Sequence, residues 1–175
     1  VSLQTRLTSL VAAIGADVKS LQQQINSLSV GSGPWTEEIR TTAVNNSVIS
    51  LVDAFTGFAP AANTRYMVDI VASVQSNAAT VGIQTQLTGP TTGITAAAVK
   101  IAAATSATAD AIAHSGLNTI QANTAGLATP SLVTIQAIIE VGATPGAGNI
   151  RMQFRPETAT LMTVRPGSIM RWRTV

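Results

Sequence analysis

Cysteine is absent from the 175 residues. Neither a disulfide framework nor a thiolate metal site can form, and cysteine usage says nothing of redox compartment. A single histidine, His114, excludes a two-histidine metal motif within one chain. Aromatic residues make up 3% of the chain and charged residues 10%. The first figure leaves few stacking platforms for sugars or single-stranded nucleic acid, and the second leaves no dense basic stripe. No apolar run approaches the roughly 18 to 20 residues that span a bilayer, and the first residues lack the basic-then-apolar layout of a signal peptide. Neither membrane insertion nor classical export is expected.

What is present is 46% hydrophobic residues set among Thr, Ser, Gln, Asn and Gly, the composition of an ordered protein with a nearly neutral surface. The length suits one main domain with an appendage and can bury a substantial core. Net charge is only +2, although Arg151, Arg155, Arg165, Arg171 and Arg173 concentrate in the last quarter. They mostly alternate with apolar residues, so they are expected on a solvated or inter-subunit sheet face, and nucleic acid is not expected as a partner.

The first thirty residues carry a narrow apolar stripe. Leu3, Leu7, Leu10, Ile14, Val18, Leu21, Ile25 and Leu28 recur at steps of four and three, a coiled-coil seam with one stutter at Ile14. At 1.5 Å per residue the stripe is about 39 Å long, too long to lie unnoticed on a small β domain. Such a helix is marginal in isolation, and Gly15 weakens it further. Its stability must come from burial, either against the chain's own β domain or, better suited to so narrow a seam, against other copies. The pattern itself leaves dimer and trimer open.

After the break Gly31, Ser32, Gly33, Pro34 the period changes. Tyr66, Val68, Ile70, Ala72 and Val74 alternate with polar residues, as do Val133, Ile135, Ala137, Ile139 and Val141, and then Ile150, Met152 and Phe154. These are half-buried strands of antiparallel sheets. Turn residues separate them at Gly57 to Asn63, Gly89 to Gly93, Gly142 to Gly148 and Arg165 to Gly167, which argues for a sandwich or jelly roll. The alanine-rich stretch 95–116 is read as strands on its Thr, Val and Ile. The expected organisation is a coiled-coil oligomerisation helix over 1–30, a joint over 31–34 and a β-sandwich head over 35–175.

Chemistry is hard to find. No GxSxG elbow, phosphate loop or dinucleotide fingerprint is present. Glu37 and Glu38, as neighbours on a strand, would point to opposite faces and make a poor dyad. Trp172, between Arg171 and Arg173, is expected to be core. Asn45, Asn46 and Ser47 form a glycosylation sequon of little meaning without export. No catalytic residue, cofactor or metal is expected; the residues singled out are those of the seam.

The segment LVDAFTGFAPAANTRYMVDIVASVQSNAATVGIQTQLTGP and the ending NIRMQFRPETATLMTVRPGSIMRWRTV resemble a β module recurrent in tailed-bacteriophage virion proteins. The features that carry the likeness are AANTRY at Ala61 to Tyr66, TVGIQTQLTGP, and the closing RPGSIMRWR. The resemblance implies a short coiled coil followed by a jelly-roll-like head, assembled as a homotrimeric fibre or spike on the tail or capsid. With the seam at the start of the chain and the joint at Gly31 to Pro34, the N-terminal end is the expected anchor to other virion proteins, and a host cell-surface glycan or protein is the expected ligand, met by loops of the head. The alternatives are a capsid decoration protein without receptor binding, an oligomeric lectin or adhesin, and a polysaccharide-degrading enzyme. The last is disfavoured by the missing carboxylate dyad.

Overall fold

The computed structural model describes Gln4, Ile14 and residues 17–19, 33–104, 110–123 and 129–175. The chain divides into two compact units, Val1–Gly33 together with Val175, and Pro34–Thr174. In the first, Gln4, Ile14, Asp17, Val18 and Lys19 are helical. Two seam residues one helical turn apart, Ile14 and Val18, are 53% and 59% exposed. Leu3, Leu7, Leu10, Leu21, Ile25 and Leu28 lie outside the described residues.

The second unit is built of antiparallel strands: β1 (Thr36–Ile39), β2 (Val44–Asn46), β3 (Val52–Asp53), β4 (Arg65–Ser76), β5 (Ile83–Thr88), β6 (Ile94–Ala104), β7 (Asp110–Ser115), β8 (Gln121–Asn123), β9 (Ser131–Val141), β10 (Arg151–Pro156), β11 (Met162–Val164) and β12 (Ile169–Thr174). The larger sheet runs β1-β12-β4-β9-β6-β7, with β11 pairing both β4 and β2; the smaller runs β3-β10-β5-β8. Strands β1-β12-β4-β9 and β3-β10-β5-β8 form the two four-stranded halves of a jelly-roll connectivity. The β6–β7 hairpin is inserted between the fourth and fifth strands of that set and widens the larger sheet beyond β9. The alanine-rich stretch supplies this hairpin: Val99 and Ile101 are buried while Ala96, Ala98 and Lys100 are exposed, and β-branched residues facing a core outweigh alanine's helical preference.

Alternation sets which side chains meet. Tyr66, Val68, Ile70, Ala72 and Val74 from β4 and Val133, Ile135, Ala137, Ile139 and Val141 from β9 are all buried. They join Ile83, Leu87, Met152 and Phe154 of the smaller sheet in one cluster. Trp172 is half-buried against that cluster and stacks on Phe58 at 4.7 Å between ring centroids, as expected for a core-facing residue. The turns need left-handed backbone at Gly57 (φ 69°), Asn63 (53°), Gly93 (78°), Gly148 (125°) and Gly167 (85°), all within the windows read from sequence. Asn118 (62°) adds a sixth, carried by no glycine. At Gly57 a side chain is barred twice, since a Cβ there would stand 2.0 Å from the Ile150 carbonyl oxygen.

Candidate functional site

Because the pleat sends alternate residues to opposite sides and the register aligns them across strands, the outward side chains of the larger sheet fall into rows. One row is charged and polar: Glu37, Arg171, Asp69, Gln136, Lys100 and His114, one residue from each of β1, β12, β4, β9, β6 and β7. The next row is largely apolar: Ile39, Ile169, Val71, Thr134, Ala102 and Ile112. On the other side Arg173, Met67, Ile138 and Ala98 align. Ile39, Val71, Ile112, Leu132 and Ile138 are exposed, Ile39, Ile112 and Leu132 by more than half.

A groove of about 550 Å³ lies along the charged row, with Trp35, Met67, Ile138 and Ala98 on one side. Arg171 donates from both Nε and Nη2 to Asp69 Oδ2, at 2.9 and 2.6 Å. Its register neighbour on the other side, Glu37, is exposed and has no ion-pair partner among the described residues; the same holds for Lys100 and His114. The Trp35 ring takes the guanidinium carbons of Arg171 and Arg173 each 4.8 Å from its centroid, a cation–π arrangement that occupies the indole. Arg173 Nε is buried with no hydrogen-bond partner among the described residues.

The outer face of the smaller sheet is of a different kind. Asp53 Oδ1 accepts from Arg151 Nε at 2.8 Å and from Gln153 Nε2 at 2.7 Å; Gln86 Nε2 donates to Gln153 Oε1 at 2.7 Å, and Arg155 Nε to Gln84 Oε1 at 2.6 Å. The polar groups of this face satisfy one another, and no large hydrophobic side chain of β3, β5 or β10 is exposed. It is built for water. The larger sheet's outer face combines exposed apolar rows with charges left unmatched, which is the character of a contact surface.

The two adjacent glutamates diverge as their strand position requires. Glu38 turns toward the loop after β3 and accepts from the backbone N–H of Thr56 and of Gly57, both at 2.8 Å, while Glu37 stands on the outer face. Asn46 of the sequon is buried, donating to the Ser50 and Phe154 carbonyls; Asn45 is exposed and accepts from Thr163 Oγ1. Arg151 and Arg155 serve the smaller sheet's polar face, Arg171 and Arg173 the larger sheet's outer face, and Arg165 bonds Gln75 at 2.6 Å from a strand end. Of the seam residues, only Ile14 and Val18 can be located. The sequence placed Arg171 on a solvated or inter-subunit sheet face, but the alignment of the charged row could not be read there, because it depends on the register of six strands far apart in the chain. Alternation alone marks Arg171, Asp69, Gln136 and Lys100 as outward positions.

No group of three or more His, Asp or Glu side chains among the described residues could hold a metal ion. No helix among the described residues is long and apolar enough to cross a membrane. No protein-family model matches the chain, and no curated protein does. Two solved structures match weakly. One is infectious bursal disease virus, Gt strain, at 13% identity and a TM-score of 0.23, over 81% of this chain and 38% of that one. The other is the Gx strain of the same virus, at 11% identity and a TM-score of 0.21, over 82% and 37%. The chain thus spans less than two-fifths of the length of either, and likenesses this slight carry no argument about what it does.

Proposed function

We propose that the chain is a non-catalytic structural protein of a tailed-bacteriophage virion, a homotrimeric fibre or spike in which the N-terminal segment joins copies and the β unit forms a displayed head. The observation that carries this reading is the pairing of two unlike units in one chain. One has helical residues whose apolar side chains, Ile14 and Val18, stand exposed; the other closes a core of its own between two antiparallel sheets. An exposed apolar seam needs a partner, and a second copy supplies an identical seam. The sequence likeness in Leu51 to Pro90 and Asn149 to Val175 supplies the virion setting and the trimer.

The absence of catalysis is part of the same reading. Glu37 and Asp69 lie two strands apart on one face, about 10 Å by strand spacing, near the separation an inverting glycosidase uses. Arg171 stands between them and is bonded to Asp69, filling the place where a sugar and its water would sit. The jelly-roll head suits attachment to a host-surface glycan or protein through its loops, and its bound indole argues against sugar stacking at Trp35.

Sedimentation of the pure chain tests the oligomer: three chain masses at micromolar concentration are expected, and a monomer would overturn the reading. Imaging of the parent particle with an antibody to the head tests the setting. Label on tail or capsid projections is expected; none on the particle would sink the virion assignment. Cleavage of host polysaccharide by the pure protein would sink its non-catalytic part.

A further inference from the structure

We infer that in the trimer the three larger sheets turn their outer faces toward the common axis, so that the β1 edge of each copy abuts the β6–β7 edge of the next and Glu37 meets Lys100 and His114 of its neighbour. This rests on the trimeric reading above and adds which surface the copies share.

Three observations lead there. The two outer faces of the β unit are unequal: the smaller sheet's polar groups satisfy one another, whereas the larger sheet exposes Ile39, Val71, Ile112, Leu132 and Ile138. The charged row is unbalanced at its ends. Its centre is neutralised by Arg171 and Asp69, leaving an unmatched carboxylate on β1 and unmatched cationic or basic groups on β6 and β7. Complementary patches at opposite edges of one face suit a head-to-tail contact, which closes into a ring when the rotation allows; a two-fold stack of two such faces would pair the same groups, and it is the trimeric reading that selects the ring. Finally, the dimensions fit. From β1 to β7 the sheet spans five strand spacings, about 24 Å. Three such walls meeting edge to edge lie about 7 Å from the axis, a gap that inward side chains of ordinary length can fill. Each row then becomes a ring, the charged one lying between a largely apolar layer and one of Met67, Ile138 and Ala98 in which Arg173 stands over Trp35. The charges in the charged ring meet across the corners in opposite pairs, as a desolvated contact demands.

The lack of native cysteine permits a clean test. Within one chain, positions 37 and 114 are five strand spacings apart, about 24 Å, far beyond disulfide reach. The full-length E37C/H114C variant, treated with a short bis-maleimide or mild oxidant, should run on a denaturing gel as a covalently closed trimer. E37C and H114C alone should stay at one chain mass. In parallel, E37K and K100E should each lower the thermal midpoint of the oligomer, and the combined swap should restore most of the loss, which a folding defect would not do. If the chain sediments as a trimer while E37C/H114C remains uncrosslinked and the swap gives no rescue, the shared face is wrong and the trimer stands. If the chain sediments as a monomer, both readings fall together.

Discussion

Single side chains in this protein act mainly through backbone groups they satisfy. Glu38 is the clearest: its carboxylate accepts two backbone N–H groups from the Thr56–Gly57 turn. Glu38→Ala should therefore leave both donors to water or to nothing and lower stability by about 1–2 kcal/mol, a drop of a few degrees in the thermal midpoint, read by circular dichroism. Gly57→Ala should cost more, because φ is 69° and the new Cβ would stand against the Ile150 carbonyl; an unaltered midpoint would refute the turn geometry. The division of Glu37 and Glu38 to opposite faces was legible from their adjacency in a strand. That Glu38 would find a turn nearly twenty residues on was not, because nothing local records where a loop returns.

At the level of elements, strand identity was written in the alternation of β4, β9 and β10, and the turn windows were written in their glycines. Pairing order was not: β1 lies beside β12, and β3 beside β10, partners separated by most of the chain. The order follows from burying one face of every strand in a single core, a condition on the whole sequence. It also grades local stability. β4 and β9 are central, long and buried on one face, whereas β7 is an edge strand whose outer Ile112 is exposed. Hydrogen exchange should give the slowest amides in β4 and β9 and faster ones in β7; equal protection would contradict an edge position for the inserted hairpin. In the core, Phe154→Ala should cost about 3–5 kcal/mol, measured by urea unfolding, since the ring is wholly buried between sheets.

For the whole molecule the decisive quantity is how many copies associate. Under the trimeric proposal, replacing Ile14 and Leu21 by Asp would place charges in the seam, where unpaired burial is costly, and sedimentation should then show the proposed trimer weakened or lost. A trimer of unchanged stability would refute a role for the seam. The seam is an expectation from periodicity, of which only Ile14 and Val18 fall among the described residues; the outward rows of the larger sheet could not be read that way. Rows such as Ile39, Ile169, Val71, Thr134, Ala102 and Ile112 exist only once six strands are in register.

The placement of β1 has a mechanical consequence. Pro34 begins the β unit and Thr174 ends it, and the pairing of Thr36 with Trp172 brings those ends to the same corner of the larger sheet. A load applied to the chain ahead of Pro34 would enter the β unit through a four-residue edge strand. Pulled along its length, β1 would strain its bonds to β12 together, in shear; pulled outward, it would peel them one after another. Arg40 N–H on the Ser168 carbonyl and Gly167 N–H on the Arg40 carbonyl, each at 2.8 Å, extend that seam of bonds past the strand's end, and the Glu38 clamp ties it to a second loop. The force at which the β unit gives way should thus be set at β1, and Glu38→Ala should lower it in single-molecule pulling more than its effect on resting stability alone would suggest.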